Sequence, residues 1–410
     1  MKKLLFLFCF VLLKVSYSQE LLPVNYDTTV TNSQVLIHGN AFHLSSAIEN
    51  GLTRKFLFGG VITEDIKQKS FDNHSIYDRI GGGYRLGLEF RSSNQILEKH
   101  PNLSWMINVS SEAHIAGEYS QDLFGLMFFG NEKYAGTEAS LSNSTGSFVD
   151  YLSIGGGIHN KKTKSFISLN VILPRSFYDG SIHRGTFTTS EQGDQLDLML
   201  QGNLEISNSP AYFQGLGGAV NFDYNLPFGK AENNDFHGVF RISGRNLGAY
   251  KLHNVDRYEI DTDQSFSGFT FDDLNEFFDD EKEPSTTIGD TLGIENSTSS
   301  PWKLIPGFIQ AGKIVERNRS TQLQSFFGIR MYTNFLYRPL IYAGVDYKPF
   351  EKYSFGTQAT FGGYGLFRLG LYANYSAEKI NIGIGTEDLL GLAFEGQYGQ
   401  SAVVRLMWNL

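Results

Sequence analysis

Ser401-Ala402-Val403-Val404-Arg405-Leu406-Met407-Trp408-Asn409-Leu410 is the stretch from which the fold is read. In an extended strand, side chains alternate between faces. Ala402, Val404, Leu406, Trp408 and Leu410 therefore share one face, and Ser401, Val403, Arg405, Met407 and Asn409 share the other. The first face suits lipid and the second suits water, with an aromatic residue at the rim. A half-buried strand of a soluble sandwich would show the same alternation. Strand length, and how often the split recurs, separate the two readings.

The split recurs. Tyr84, Leu86, Leu88 and Phe90 oppose Arg85, Gly87, Glu89 and Arg91. From Leu103 to Ile115 the alternation runs longer than the usual five or six residues of a soluble strand and covers the 9–11 of a tilted membrane strand. Further strands are expected at Phe148–His159, Ser165–Leu173, Gln195–Ser207, Phe213–Leu226, Phe236–Leu247, Leu304–Glu316, Leu323–Asn334, Leu340–Lys348, Tyr353–Gly362, Phe367–Tyr375 and Lys379–Gly385, before the terminal strand. The expected fold is all-β, a transmembrane antiparallel barrel of about 14 strands within bounds of roughly 12 to 16. Loops are expected at 120–147, 248–303 and 386–400. Counted back from a periplasmic C-terminus, the first of these falls on the wrong side. A strand is therefore missed or invented, with Phe177–Thr188 and Leu52–Ile62 as candidates.

Composition agrees. Gly 44, Phe 34 and Tyr 21 accompany a single Cys. Lys2 and Lys3 precede the apolar run Leu4–Leu13, and Ser16 and Ser18 follow it, the pattern of a secretory signal peptide over residues 1–18. The remaining chain would hold no cysteine, which excludes disulfides and thiol chemistry. Loss of Lys2, Lys3 and Lys14 would make the formal charge of -9 more negative by three. So acidic a chain is no partner for nucleic acid. Residues 19–81 are irregular and are expected either to plug the lumen or to supply the first hairpin, with the barrel proper over 82–410.

The polar faces nominate a lumen lined by Arg85, Glu89, Arg91, Glu112, His114, Asp197, Glu205, Asp223, Arg241, Arg245, Arg330, Asp346, Arg368 and Arg405. An arginine turned to lipid at mid-depth costs about 2–4 kcal/mol, which enforces inward placement. The mixed signs favour cross-strand pairing over a single-sign ring; a polar conduit and a salt-bridged filling both fit. Gly244-Arg245-Asn246-Leu247-Gly248 suits a bulge or a positive-φ turn. Phe124 and Phe128, and Phe271, Phe277 and Phe278 within an acidic stretch from Asp256 to Glu295, are candidates for docking a partner. No His-Glu-x-x-His or Gly-x-Ser-x-Gly occurs, and Gly383-Ile384-Gly385-Thr386-Glu387-Asp388 lacks the third glycine of a dinucleotide loop. No enzyme activity, cofactor or metal is expected.

Asp122-Leu123-Phe124, Phe129-Gly130-Asn131, Ala135-Gly136, the Gly244–Gly248 motif, Leu389-Leu390-Gly391-Leu392 and Gln397-Tyr398-Gly399-Gln400 together resemble an uncharacterised group of PorV/FadL-like outer-membrane barrels of the Bacteroidota. The resemblance implies a fourteen-stranded barrel with an N-terminal hatch, placed in the bacterial outer membrane with lipid around it. FadL-type members pass hydrophobic small molecules, and PorV-type members are accessory barrels in protein secretion. The expectation drawn is an accessory or structural barrel partnering other envelope proteins, with a passive transporter of small hydrophobic molecules as the alternative.

Overall fold

A computed structural model describes residues 27, 29–207, 211–229, 238–267, 293–317, 321–334 and 336–410. The first 26 residues, Phe271, Phe277 and Phe278 lie outside the described residues, as does most of the acidic stretch.

The strands in chain order are β1 (Gln34–Ser45), β2 (Tyr77–Leu97), β3 (His100–Ser120), β4 (Glu138–Ser140), β5 (Ser144–Asn160), β6 (Phe166–Thr189), β7 (Gln195–Ser207), β8 (Gly215–Phe228), β9 (Gly238–Leu252), β10 (Val255–Ser267), β11 (Ile294–Ser299), β12 (Trp302–Leu304), β13 (Phe308–Ile314), β14 (Leu323–Tyr332), β15 (Arg338–Phe350), β16 (Tyr353–Gly363), β17 (Arg368–Ser376), β18 (Ile380–Thr386) and β19 (Gly399–Asn409). Among the described residues fourteen of them form the wall: β1, β2, β3, β5, β6, β8, β9 and β13 through β19, each antiparallel to its neighbours. The ring closes where β1 pairs with β19, Gln34 opposite Asn409 and Leu44 opposite Gly399, and with β2 on its other edge. Closure leaves the wall without a free edge, so every wall strand can satisfy its backbone without water.

The number of wall strands matches the expected one, but two assignments differ, one strand gained and one lost. Residues 34–45, in the segment expected either to plug the lumen or to supply the first hairpin, are a wall strand. Gln195–Ser207, expected in the wall, is outside it. The cause lies in β6. At 24 residues it is longer than a bilayer requires, and at Pro174 its ladder with β5 slips by one residue. Proline lacks the N–H a ladder needs and is tolerated at such bulges. Below this point β6 pairs with β8, Phe166 opposite Asp223; above it β6 pairs with β7, Tyr178 opposite Ile206. β7 then pairs with β10 and β10 with β11, forming a sheet that stands beyond the barrel. With β7 removed from the wall, 120–147 falls on the same side as the other long loops. Phe177–Thr188 is the upper half of β6, whereas Leu52–Ile62, expected as a strand, is mostly helical.

The two ends are unequal. At one end the described connections are short, such as Glu98–Lys99, Lys161–Ser165 and Glu351–Lys352, and here Leu410 N donates to Ser33 O at 2.8 Å. In outer-membrane barrels the short turns are periplasmic. Among the described residues, the opposite, extracellular end carries the β7–β10–β11 sheet and four helices: α1 (Asn50–Phe58), α2 (Glu64–Asp72), α3 (Gln121–Phe129) and α4 (Leu389–Ala393). Thr63 caps α2 by accepting from Ile66 N, with Glu64 and Asp65 in the first turn; Ser120 caps α3 by accepting from Leu123 N. Both arrangements satisfy orphan amides, and the α2 acids also oppose the helix dipole.

The wall is turned inside out relative to a water-soluble protein. Ile37, Leu86, Leu88, Ile107, Val109, Ile154, Leu169, Phe327, Ile341, Leu371 and Ile384 all point outward and are exposed, Ile107 by 53% and Leu169 by 68%. The belt continues around the ring, far beyond the few hundred Å² of apolar patch that soluble monomers show. Hydrocarbon is the solvent such a surface requires.

Candidate functional site

The interior is where the polar faces converge, and it is arranged in layers. Lowest is the chain that precedes β1. Asp27 Oδ2 lies 3.4 Å from Arg317 in the turn after β13, Lys164 in the turn after β5 donates to Val30 O, and Ser33 Oγ meets Ser93 Oγ at 3.0 Å. The Arg317 turn lies nearly half the ring away from β1, so this segment crosses the periplasmic mouth. Burial is the main influence lowering the Lys164 ammonium from 10.5 to about 8, with Arg91 adding to it and Asp27 opposing.

Above it is a charged layer. Glu89 pairs with Arg91; Arg91 and Arg245 flank the Phe166 ring, their guanidinium carbons 5.2 and 5.1 Å from its centroid. Arg245 bonds Asp223 at 2.7 Å, Arg241 lies 3.8 Å from the same carboxylate, and Arg241 Nε donates to Asn225 at 2.7 Å.

Mid-barrel is centred on Glu112, 7% exposed. It accepts from Ser110 Oγ at 2.7 Å, Tyr151 OH at 3.1 Å and Asn246 Nδ2 at 2.7 Å, and lies 3.2 Å from Arg85 Nε. Asn246 reaches it from across the lumen because β9 bulges there, with Asn246 at φ 53. The Gly244–Gly248 motif is thus a bulge, though β9 continues through it to Leu252.

The extracellular half is aromatic. His114 bonds Tyr364 OH at 2.8 Å and stacks on Tyr332 at 5.5 Å; Tyr337 packs on both Tyr332 and Tyr364, and Phe42 edges toward His114. Arg330, 1% exposed, donates through Nε to Gln310 at 2.9 Å and covers Phe308 at 4.2 Å. Arg368 donates to the carbonyls of Gly362 and Leu366. Lower in the barrel, Tyr372 OH donates to Asp346 at 2.8 Å and Arg405 reaches Asn374 at 3.5 Å. Among these groups remains a cavity of ≈ 40 Å³, lined by Asn40, Arg85, Glu112, His114, Tyr151 and Tyr332 among others. That is room for a few waters.

Twelve of the nominated lumen residues therefore sit on inward faces of the wall. Asp197 and Glu205 do not, because β7 left the barrel with the upper half of β6. Asp197 is bonded by Ser265 and Gln195 at the surface. Glu205 is buried beside Lys303 at 2.5 Å, and Lys303 also binds Asp179 at 3.0 Å. Burial works against the Lys303 charge, but these two carboxylates outweigh it and raise its pKa. Phe124, nominated for docking, is 2% exposed and packs on His74 at 4.3 Å and Phe128 at 4.4 Å. It holds α3 against α2 and offers no free face. Tyr337 and Tyr364, missed in the sequence, come from short extracellular loops where strand alternation is silent.

A closed antiparallel barrel with an apolar outer belt, a polar interior and unequal ends is an outer-membrane β-barrel, and the chain is of that class. No protein-family model matches the sequence, and no curated protein matches it either. Among solved structures, it is similar to the Pseudomonas putida toluene transporter TodX, with a TM-score of 0.42 at 10% identity over 92% of this chain and 90% of that one. The translocator domain of the autotransporter NalP from Neisseria meningitidis gives 0.28 at 9% identity, covering 92% and 88%. The transport unit of AIDA-I from Escherichia coli gives 0.27 at 7%, covering 96% and 95%.

Proposed function

We propose that this outer-membrane barrel is a passive, gated conduit for a small hydrophobic or aromatic molecule and does no chemistry on it. The supporting observation is the aromatic extracellular half of the lumen, where Phe42, Tyr332, Tyr337 and Tyr364 surround His114. Ring faces with hydroxyl tips suit a small apolar guest with few polar groups. Tyr337 and Tyr364 stand on the loops after β14 and β16, so loop movement would enlarge the ≈ 40 Å³ cavity without breaking the wall. Uptake of radiolabelled toluene by cells whose outer membrane carries this barrel tests the reading. The Tyr337→Ala/Tyr364→Ala variant should take it up faster than wild type, and uptake equal to a barrel-free control for both proteins would refute it.

A second reading, an accessory barrel in a larger envelope assembly, draws on the extracellular rim. Phe56, Phe58, Val61, Met127 and Phe394 are each more than half exposed there, and clustered apolar exposure marks interaction surfaces. Purification in mild detergent from native membranes tests it; a barrel that always migrates alone would count against a partner.

A further inference from the structure

The outer wall is not a uniform cylinder. Between β15 and β19 it carries a shallow, open groove of ≈ 690 Å³. Its small outward residues are Thr357 on β16, Ala373 on β17 and Ala402 on β19. Larger ones surround them: Tyr347 and Phe355 on the β15–β16 side, Ile384 of β18 between Ala373 and Val404, and Leu392 of α4 at the extracellular end. On the inside of this stretch Tyr372 covers Gly356, where a Cβ would collide with the tyrosine ring.

We propose that this groove seats one acyl chain of a membrane phospholipid. Three observations select that occupant. The groove is continuous with the lipid-facing belt, so hydrocarbon already surrounds it. The hydroxyls at its floor are committed elsewhere, Thr357 Oγ1 to Gly370 O at 3.0 Å and Thr386 Oγ1 to Ser401 Oγ at 3.1 Å, which leaves an apolar guest. The groove runs from Tyr347 and Phe355, near the periplasmic ends of their strands, up to α4 at the extracellular rim, as a membrane acyl chain does. A chain held here would order β16–β19, the wall segment beside the β19–β1 closure.

Native mass spectrometry of the full chain in detergent, titrated with palmitoyl-oleoyl phosphatidylethanolamine, tests the proposal. Wild type should retain one lipid per barrel at collision energies that strip the rest. Ala373→Phe and Ala402→Phe, which fill the floor, should each lower that retained population about tenfold, while Val109→Phe on the far wall should leave it unchanged. Heat-modifiable migration on gels verifies that each variant is folded; should one phenylalanine variant misfold, the other carries the test. The proposal is overturned if wild type retains no lipid, if all three variants lose it equally, or if wild type is a dimer that Ala373→Phe renders monomeric, which would make the occupant a second copy of this chain.

Discussion

Replacing Glu112 by alanine is the sharpest test of the packed interior. The substitution removes the acceptor of three hydrogen bonds, from Ser110, Tyr151 and Asn246, and the ionic partner of Arg85 at 3.2 Å. Both ion-pair side chains are well shielded, at 15% and 9% exposure. Removing one member of a buried pair costs about 3–5 kcal/mol, because the remaining charge keeps its desolvation cost while losing its counter-charge. Glu112→Gln loses the charge and keeps one of the two acceptor oxygens while its NH2 faces donors at the other position, so it should cost somewhat less, about 1.5–3 kcal/mol. Equilibrium unfolding in urea with vesicle-reconstituted protein, followed by tryptophan fluorescence, measures both. The Arg85→Ala/Glu112→Ala double variant should recover at least 1 kcal/mol relative to the sum of the singles, since contacting residues are not additive. A Glu112→Ala cost below about 1 kcal/mol, or strict additivity with Arg85→Ala, would show that water fills the lumen and screens the pair.

Ile107→Arg places a charge in the middle of the lipid belt and should destabilise the vesicle-folded barrel by about 2–4 kcal/mol, whereas Lys99→Arg in a periplasmic turn should cost about 0–1; equal costs would sink the lipid assignment. Gly356→Val drives a side chain into the Tyr372 ring and should cost about 1–3 kcal/mol or more by overpacking, read as loss of the fast-migrating folded band on unboiled gels. His74 is held below its usual 6.5 chiefly by burial, against hydrogen bonding to Ser70 O and the nearby Asp78, so its contribution is present above pH 6.5 and is lost as pH falls through the depressed value. Amide exchange over 64–74 and 121–129, corrected for intrinsic rates, should therefore speed up between pH 7.5 and pH 5 in wild type and change less in His74→Gln.

What was legible follows from what alternation encodes. β2, β3 and β19 carry a strict contrast between apolar and charged faces, and the structure orients them accordingly. β1 breaks the contrast: Leu36, Phe42 and Leu44 point into the lumen, the last two packing with the aromatic layer, while His43 faces away toward Asn50 of α1. Its membership of the wall was therefore obscured. β7 has the opposite character. Leu196, Leu198 and Leu200 alternate cleanly with polar residues, yet alternation reports only that a strand has two unlike faces. It cannot say whether the apolar one meets lipid or another protein surface.

The interior shows the same division between what a strand knows and what a barrel adds. Placing Glu112 and Arg85 on the polar face follows from period two, and their pairing follows from the neighbouring register of β2 and β3, where they stand directly opposite. Asn246 is different. It sits on a strand several places around the ring, and it reaches Glu112 because one extra residue in β9 puts it at positive φ and turns its amide inward. The motif around it could be recognised as a bulge, but its partner is set by ring closure, which depends on how many strands stand between β3 and β9. That number depends in turn on Pro174, where β6 changes partners and β7 leaves the wall. A proline far from Glu112 in the chain thus helps decide which groups meet at the centre of the barrel, and this is why single-strand pattern could place the charges without pairing them all.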